Sequence, residues 1–134
     1  MAWPCRQEAW LCPIEAARRA YAQVARAISA FEPVTMVARE QDCEQAQRLC
    51  GETVQVEPLA IDDSWMRDTG PTFLVNGRGG LAAADWQFNA WGEEYQGYDD
   101  DILVAQRMFA ASSKRAFNST TTATCLPLRA ARTR

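Results

Sequence analysis

Between residues 59 and 77 the chain reads LAIDDSWMRDTGPTFLVNG, setting the acids Asp62 and Asp63, the indole of Trp65 and the pair Arg67 and Asp68 just ahead of Gly70, Pro71 and a β-rich run. A carboxylate and an indole three residues apart on a turn can form two walls of a pocket for a planar cation. The acid accepts paired N–H bonds and the ring face adds cation–π attraction. A guanidinium is such a cation. Taken singly, the same residues have plainer uses: Asp62 and Asp63 as turn-forming acceptors, Trp65 as a half-buried rim packer, Arg67 and Asp68 as a surface ion pair. Their combination points to a site. Trp65 and Asp68 are expected on one side of the loop that follows a strand containing Val56 and Leu59, because α/β folds collect binding groups at strand ends.

Composition narrows the partners. The 134 residues are 48% apolar, enough for one domain with a real core, and 14 basic against 17 acidic residues leave a formal charge of −3. Charges of both signs are scattered and no Lys/Arg block occurs, so nucleic acid and anionic membranes are poor partners and a small cation a better one. No apolar run approaches the roughly 18 to 20 residues of a bilayer span, and MAWPCRQEAW lacks the features of a secretory leader; the sequence reads as cytoplasmic. Cys5, Cys12, Cys43, Cys50 and Cys125 form no CxxC pair, and the chain has no histidine. A Cys/His zinc site therefore lacks its ligands, and five irregularly spaced thiols read as reduced residues rather than a disulfide framework. Cys43 and Cys50 share a helix face as small apolar fillers.

The elements that would position these groups alternate. MAWP resembles a short strand, and residues 12–31 form a helix with Ile14, Ala17, Tyr21, Val24, Ala25, Ile28 and Phe31 inward, Arg18, Arg19, Gln23 and Arg26 outward, and Pro13 in its first turn. A buried strand at 34–38, a helix at 40–51 closed by Gly51 and a strand at 53–61 follow. Residues 71–88 form a hairpin turning through Asn76, Gly77, Arg78, Gly79 and Gly80. After a polar, aromatic loop, residues 99–111 form a helix with Asp99, Asp100 and Asp101 at its positive end and Ile102, Ala105 and Phe109 inward. From about Ser112 neither periodicity survives, and coil is expected.

Three segments, MAWP with EAW, DDSWMRDTGPTF, and DWQFNAWG after the hairpin, resemble the agmatine deiminases of the guanidine-modifying superfamily, which includes the peptidylarginine deiminases. The resemblance covers residues 1 to about 110. It implies an α/β fold, part of a pseudo-five-fold α/β propeller (pentein) of which this chain would hold about one and a half modules. It implies hydrolysis of agmatine to N-carbamoylputrescine and ammonia, in polyamine and putrescine biosynthesis, without metal or cofactor. A guanidinium stays protonated at neutral pH and resists attack by water, so a thiolate adds first and water later resolves the amidino-thioether. By motif match, Asp68 is the catalytic carboxylate that holds the guanidinium, with Trp65 as its neighbouring wall; Asp85, Trp86, Asn89 and Trp91, with Phe88 in the same motif, belong to the substrate-binding lining.

The family's general acid/base histidine and its nucleophilic cysteine in a Gly-rich segment have no counterpart here, and the chain is about a third of the usual family length. The expectation is an inactive N-terminal fragment, residues 1–111, followed by a disordered or frameshifted non-family tail, 112–134. The complete enzyme would be a possible homo-oligomer. Three other readings of the same residues stand: a non-catalytic guanidinium- or amine-binding module, a relative of bacterial peptidylarginine deiminases, and a non-functional product of a broken gene.

Overall fold

A computed structural model describes residues 1–77, 80–116 and 123–128, with 112–116 and 123–128 described by their backbone course alone. The chain divides into two compact units, Met1–Met66 and Arg67–Arg134.

The first unit is a parallel strand pair with helical crossovers. β1 (Val34–Ala38) pairs with β2 (Val54–Pro58) in the register Val34↔Val54 to Ala38↔Pro58. The N-terminal stretch lies along β1: Ala2 bridges Val37, and the Trp3 N–H donates to the Val37 carbonyl at 2.9 Å. Two helices supply the other layer, α1 (Ile14–Ser29) and α2 (Cys43–Cys50). Pro13 precedes α1 rather than lying inside it, and Gln7 caps the helix from a distance by accepting from the Ile14 N–H at 2.8 Å. Gly51 closes α2 at φ 78° and ψ −178°, a region that in practice only glycine occupies. Alternate residues of β1, Val34, Met36 and Ala38, meet Ala22 and Ala25 of α1, Ala46 and Cys50 of α2, Val54 and the fully buried Trp3 in one core. Alanines on the helices let their backbones approach the strands, and Trp3 fills the space this leaves.

The buried stripe of α1 follows the predicted face at Ala17 and Ala25, with Ile14, Tyr21 and Ile28 half-buried, and departs from it by broadening towards Arg18 and Ala22 instead of Val24. Ala22 and Ala25 are buried, whereas Val24 is 49% exposed and Phe31, beyond the helix end, is 91% exposed. Alanine carries a weak hydropathy signal, so the side towards which an alanine-rich stripe broadens is easily misread. Arg18, expected in water, consequently faces inward, with its side chain 12% exposed. Its guanidinium forms a 2.9 Å ion pair with Asp42, donates to the Pro4 carbonyl at 3.0 Å and to Gln45, and lies 6.0 Å from the Trp3 ring centroid. One side chain thus ties the N-terminal stretch, α1 and the start of α2 together.

The second unit is built on a hairpin. β3 (Thr72–Val75) and β4 (Leu81–Trp86) are antiparallel, in the register Thr72↔Ala84 to Val75↔Leu81. In the turn between them, the Asn76 side chain accepts from the Gly80 N–H at 2.9 Å and Gly77 has φ 69°; Arg78 and Gly79 lie outside the described residues. A 3-10 turn, Asp101–Leu103, leads into α4 (Val104–Ala116), which buries Val104, Ala105 and Phe109. Ile102, expected in that apolar row, is 39% exposed, because the tighter 3-10 turn rotates it off the face. The coil expected from Ser112 is replaced in two places. α4 runs through to Ala116, and β5 (Ala123–Leu128) adds to β4 in parallel, from Leu81↔Ala123 to Trp86↔Leu128, giving the order β3-β4-β5. A strand, helix and parallel strand in succession satisfy the free edge of β4 through backbone pairing, which needs no side-chain alternation to announce it. The rest of the predicted tail, 117–122 and 129–134, lies outside the described residues. Among the described residues no helix is long and apolar enough to cross a membrane.

An enclosed ion pair that bridges elements should be costly to break from one side only. Arg18→Ala is expected to destabilise the protein by about 2–4 kcal/mol, with Asp42→Ala largely non-additive to it in a urea-denaturation double-mutant cycle. Additive losses would mean that Arg18 acts through packing alone.

Candidate functional site

The hairpin register builds the site. Pairing of Thr72 with Ala84 places the start of β3 and the end of β4 at the same edge of the sheet. The segment entering β3 is α3 (Met66–Thr69), one turn carrying Arg67 and Asp68, and the segment leaving β4 is Gln87–Trp91. Two stretches about twenty residues apart in sequence therefore converge. Between them is an open cleft of about 360 Å³ lined by Arg67, Asp68, Trp86, Gln87, Phe88, Asn89 and Trp91. The Trp86 indole N–H donates to the Thr72 hydroxyl at 2.9 Å, so the ring at the end of β4 is pinned to the start of β3.

Behind the cleft the aromatic rings support one another. Phe88 is buried and meets Trp91 edge-on at 5.3 Å and Tyr98 edge-on at 6.0 Å, while Trp91 meets Tyr95 at 5.8 Å. Trp86 and Trp91 are each about two-fifths exposed, which leaves ring surface for a ligand. The backbone that presents Trp91 is unusual: Ala90, Trp91, Gly92 and Glu93 all have positive φ, at 49°, 56°, 97° and 66°. Three of these are not glycine, and left-handed backbone costs an L-residue about 1–2 kcal/mol. The turn persists because Ala90 is buried and the Asn89 carbonyl accepts from the Gly92 and Glu93 N–H groups at 3.1 and 2.8 Å.

Of the residues singled out in the sequence, the cleft unites Asp68, Trp86, Asn89 and Trp91. Asp85 stands apart from them: it is 8% exposed and accepts from the Gln106 amide of α4 at 2.9 Å. Strand alternation is the reason, since β4 continues through Trp86 and sends neighbouring residues to opposite faces. Trp65 belongs to the first unit, where its indole N–H donates to the Asp63 carboxylate. Asp63 and Ser64 are buried, and the Ser64 N–H also donates to Asp63 at 2.8 Å, the turn-forming role expected of this acid. The Asp62 carbonyl accepts from Arg39 at 2.9 Å and from the Cys5 thiol at 3.3 Å. Arg67 and Gln87 are lining residues that sequence reasoning passed over; adjacency to Asp68 and Trp86 was their only signal.

Chemically the cleft offers one carboxylate, one guanidinium, two amides and aromatic faces, of which the carboxylate and the ring faces suit a planar cation. Among the described residues its lining contains no thiol. Cys5, Cys12, Cys43 and Cys50 are unbridged, and burial pushes the thiols of Cys43 and Cys50 up, further for Cys43 through Glu40, Asp42 and Glu57, so both are held in the unreactive protonated form. Among the described residues no group of three or more His, Cys, Asp or Glu is placed to hold a metal ion.

The profile of the Porphyromonas-type peptidyl-arginine deiminase family matches residues 1–124. A Legionella pneumophila protein named agmatine deiminase is 42% identical over 121 residues, 89% of this chain and 35% of its own length. A Streptomyces coelicolor protein of the same name is 44% identical over 111 residues, 81% of this chain and 33% of its own. In structure, the agmatine deiminase of Enterococcus faecalis superposes with a TM-score of 0.82 at 31% identity, over 94% of this chain and 34% of that one. The chain thus spans about a third of the length of the relatives it matches.

Two measurements check the local energetics. Glu93 is exposed in left-handed backbone, so Glu93→Gly should raise the melting temperature by about 2–5 °C while Glu93→Ala leaves it unchanged. A fall with glycine would refute the strain. Burial pushes the Asp63 carboxyl up from its ordinary 3.8, against the opposing pull of Ser64, Trp65 and Arg6. Between 3.8 and the raised value the folded chain holds more protons than the unfolded one, so Asp63 lowers stability progressively as pH rises through that window. Asp63→Asn cannot ionise, and its stability relative to the wild type should climb from about pH 3.8 upward in urea denaturation; a flat difference would show that burial does not perturb Asp63.

Proposed function

Because the chain belongs to the Porphyromonas-type peptidyl-arginine deiminase family, we propose that its cleft is the guanidinium-gripping part of an agmatine deiminase-type active site. The convergence of Asp68 with the exposed rings of Trp86 and Trp91 in one cleft carries this reading. The Asp68 carboxylate accepts paired N–H bonds from the guanidinium, and the indoles supply apolar walls with cation–π attraction. Asn89 completes the lining. Asp85 acts behind it, through Gln106, and Trp65 belongs to the same motif from the first unit.

In a complete enzyme of this type a thiolate adds to the central guanidinium carbon, ammonia leaves, and water then cleaves the amidino-thioether to give N-carbamoylputrescine, a step on the way to putrescine. This chain has no histidine to shuttle the protons and no thiol among the described residues of its cleft, so alone it binds without turning over. In fold it contributes the first one and a half modules of a pentein propeller, as the superposition on about a third of the Enterococcus faecalis enzyme supports. The cation acts as ligand in the cytoplasm, and neither metal nor cofactor takes part. The carboxylate and ring faces of the lining also suit a second reading, a guanidinium- or amine-binding module without chemistry.

Titration calorimetry tests the grip. Agmatine should bind, more tightly than an Nα-blocked arginine peptide, and Asp68→Asn should weaken it roughly 10- to 100-fold, about 1.4–2.8 kcal/mol. No ammonia should be released. Binding unaffected by Asp68→Asn would remove the site assignment, and preference for the peptide would move the chain to the peptidylarginine type.

A further inference from the structure

Asn89 lines the cleft, yet its side-chain oxygen is already committed to the backbone: it accepts from the Gly92 N–H at 3.1 Å. Its own carbonyl accepts from the Gly92 and Glu93 N–H groups, and the Ala90 carbonyl accepts from the Glu94 N–H at 3.1 Å. Asn89 thus secures the opening of the turn with both side chain and backbone, and Ala90 to Glu93, which follow it, all have positive φ. A turn of the opposite hand would project the Trp91 side chain in a different direction from the same chain path. The left-handed turn is what allows Trp91 to stand edge-on to Phe88 and Tyr95 while still lining the cleft.

We propose that Asn89 is a positioning residue: its side-chain oxygen clamps the Gly92 N–H, holds Ala90–Glu93 in the left-handed turn, and so sets Trp91 as a wall of the cleft. Asn89 acts on the ligand through Trp91, not through a contact of its own amide. Serine and aspartate can accept from a backbone N–H two or three residues on, as asparagine does, whereas alanine cannot. The effect on cation binding rests on the guanidinium reading of the cleft; the effect on the turn does not.

The experiment compares Asn89→Ala, Asn89→Ser and Trp91→Phe in the full chain, with circular dichroism melts to establish that each is folded. Amide hydrogen exchange without ligand reads the turn. Asn89→Ala should speed exchange at Gly92 and Glu93 at least tenfold, Asn89→Ser less than threefold, and Trp91→Phe should leave both unchanged. Agmatine affinity reads the wall: Asn89→Ala and Trp91→Phe should weaken it by similar factors, with no further loss in the double variant. Unchanged exchange at Gly92 in Asn89→Ala would overturn the proposal. So would an affinity loss in Asn89→Ser as large as in Asn89→Ala with exchange preserved, since that pattern belongs to an amide touching the cation. If Asn89→Ala does not fold, Asn89→Ser decides by the same two readings. If the wild-type chain binds no agmatine, the guanidinium reading fails, and hydrogen exchange together with the emission lost on Trp91→Phe still decides whether Asn89 holds the turn.

Discussion

Everything at the cleft depends on one set of backbone hydrogen bonds, the antiparallel register that pairs Thr72 with Ala84. A shift by one residue would exchange the two faces of β4, turning Asp85 outward and Trp86 inward. The register also brings α3 alongside the segment that leaves β4, so a carboxylate at position 68 and indoles at 86 and 91 share one cavity. Turn chemistry at Asn76 and Gly77 and the Trp86–Thr72 hydrogen bond reinforce it from either end.

Rigidity at the cleft comes from rings and from a constrained turn. Phe88 is the buried centre against which Trp91 and Tyr98 pack edge-on, a geometry that favours the positive rim of one ring meeting the negative face of another. Packing of that kind offsets the left-handed backbone of Ala90, Trp91 and Glu93, which would relax in isolation. The first unit obeys a different logic. Its core uses small helix residues around Trp3, and its cohesion runs through Arg18, whose partners come from three separate segments.

Much of this was legible in the residues. β1 matches its predicted span because Val-Thr-Met-Val-Ala is a short, β-prone run bounded by Pro33 and a polar helix start. α2 ends where Gly51 said it would, and the glycine- and asparagine-rich turn announced the hairpin. Asp68, Trp86, Asn89 and Trp91 were recognisable as one lining because their motifs resemble those of guanidine-modifying enzymes. What escaped has physical reasons. The weak signal of Ala22 hid the side towards which the buried face of α1 broadens, and with it the inward turn of Arg18. Strand alternation already separated Asp85 from Trp86, a signal present in the sequence and outweighed by the motif. Positive φ at Ala90, Trp91 and Glu93 leaves no trace in composition, since those residue types prefer right-handed backbone. β5 is held by the edge of β4 and carries no alternating pattern of its own.

The central claim, that Asp68 and the two indoles form a cation-binding cleft within the second unit, is open to direct measurement. A ¹⁵N-labelled sample titrated with agmatine should show its largest chemical-shift changes at the indole N–H signals of Trp86 and Trp91 and the backbone amides around Asp68, with little change at Trp3 or Trp10. Changes centred on residues of Met1–Met66 other than Trp65, or none at millimolar agmatine, would contradict it.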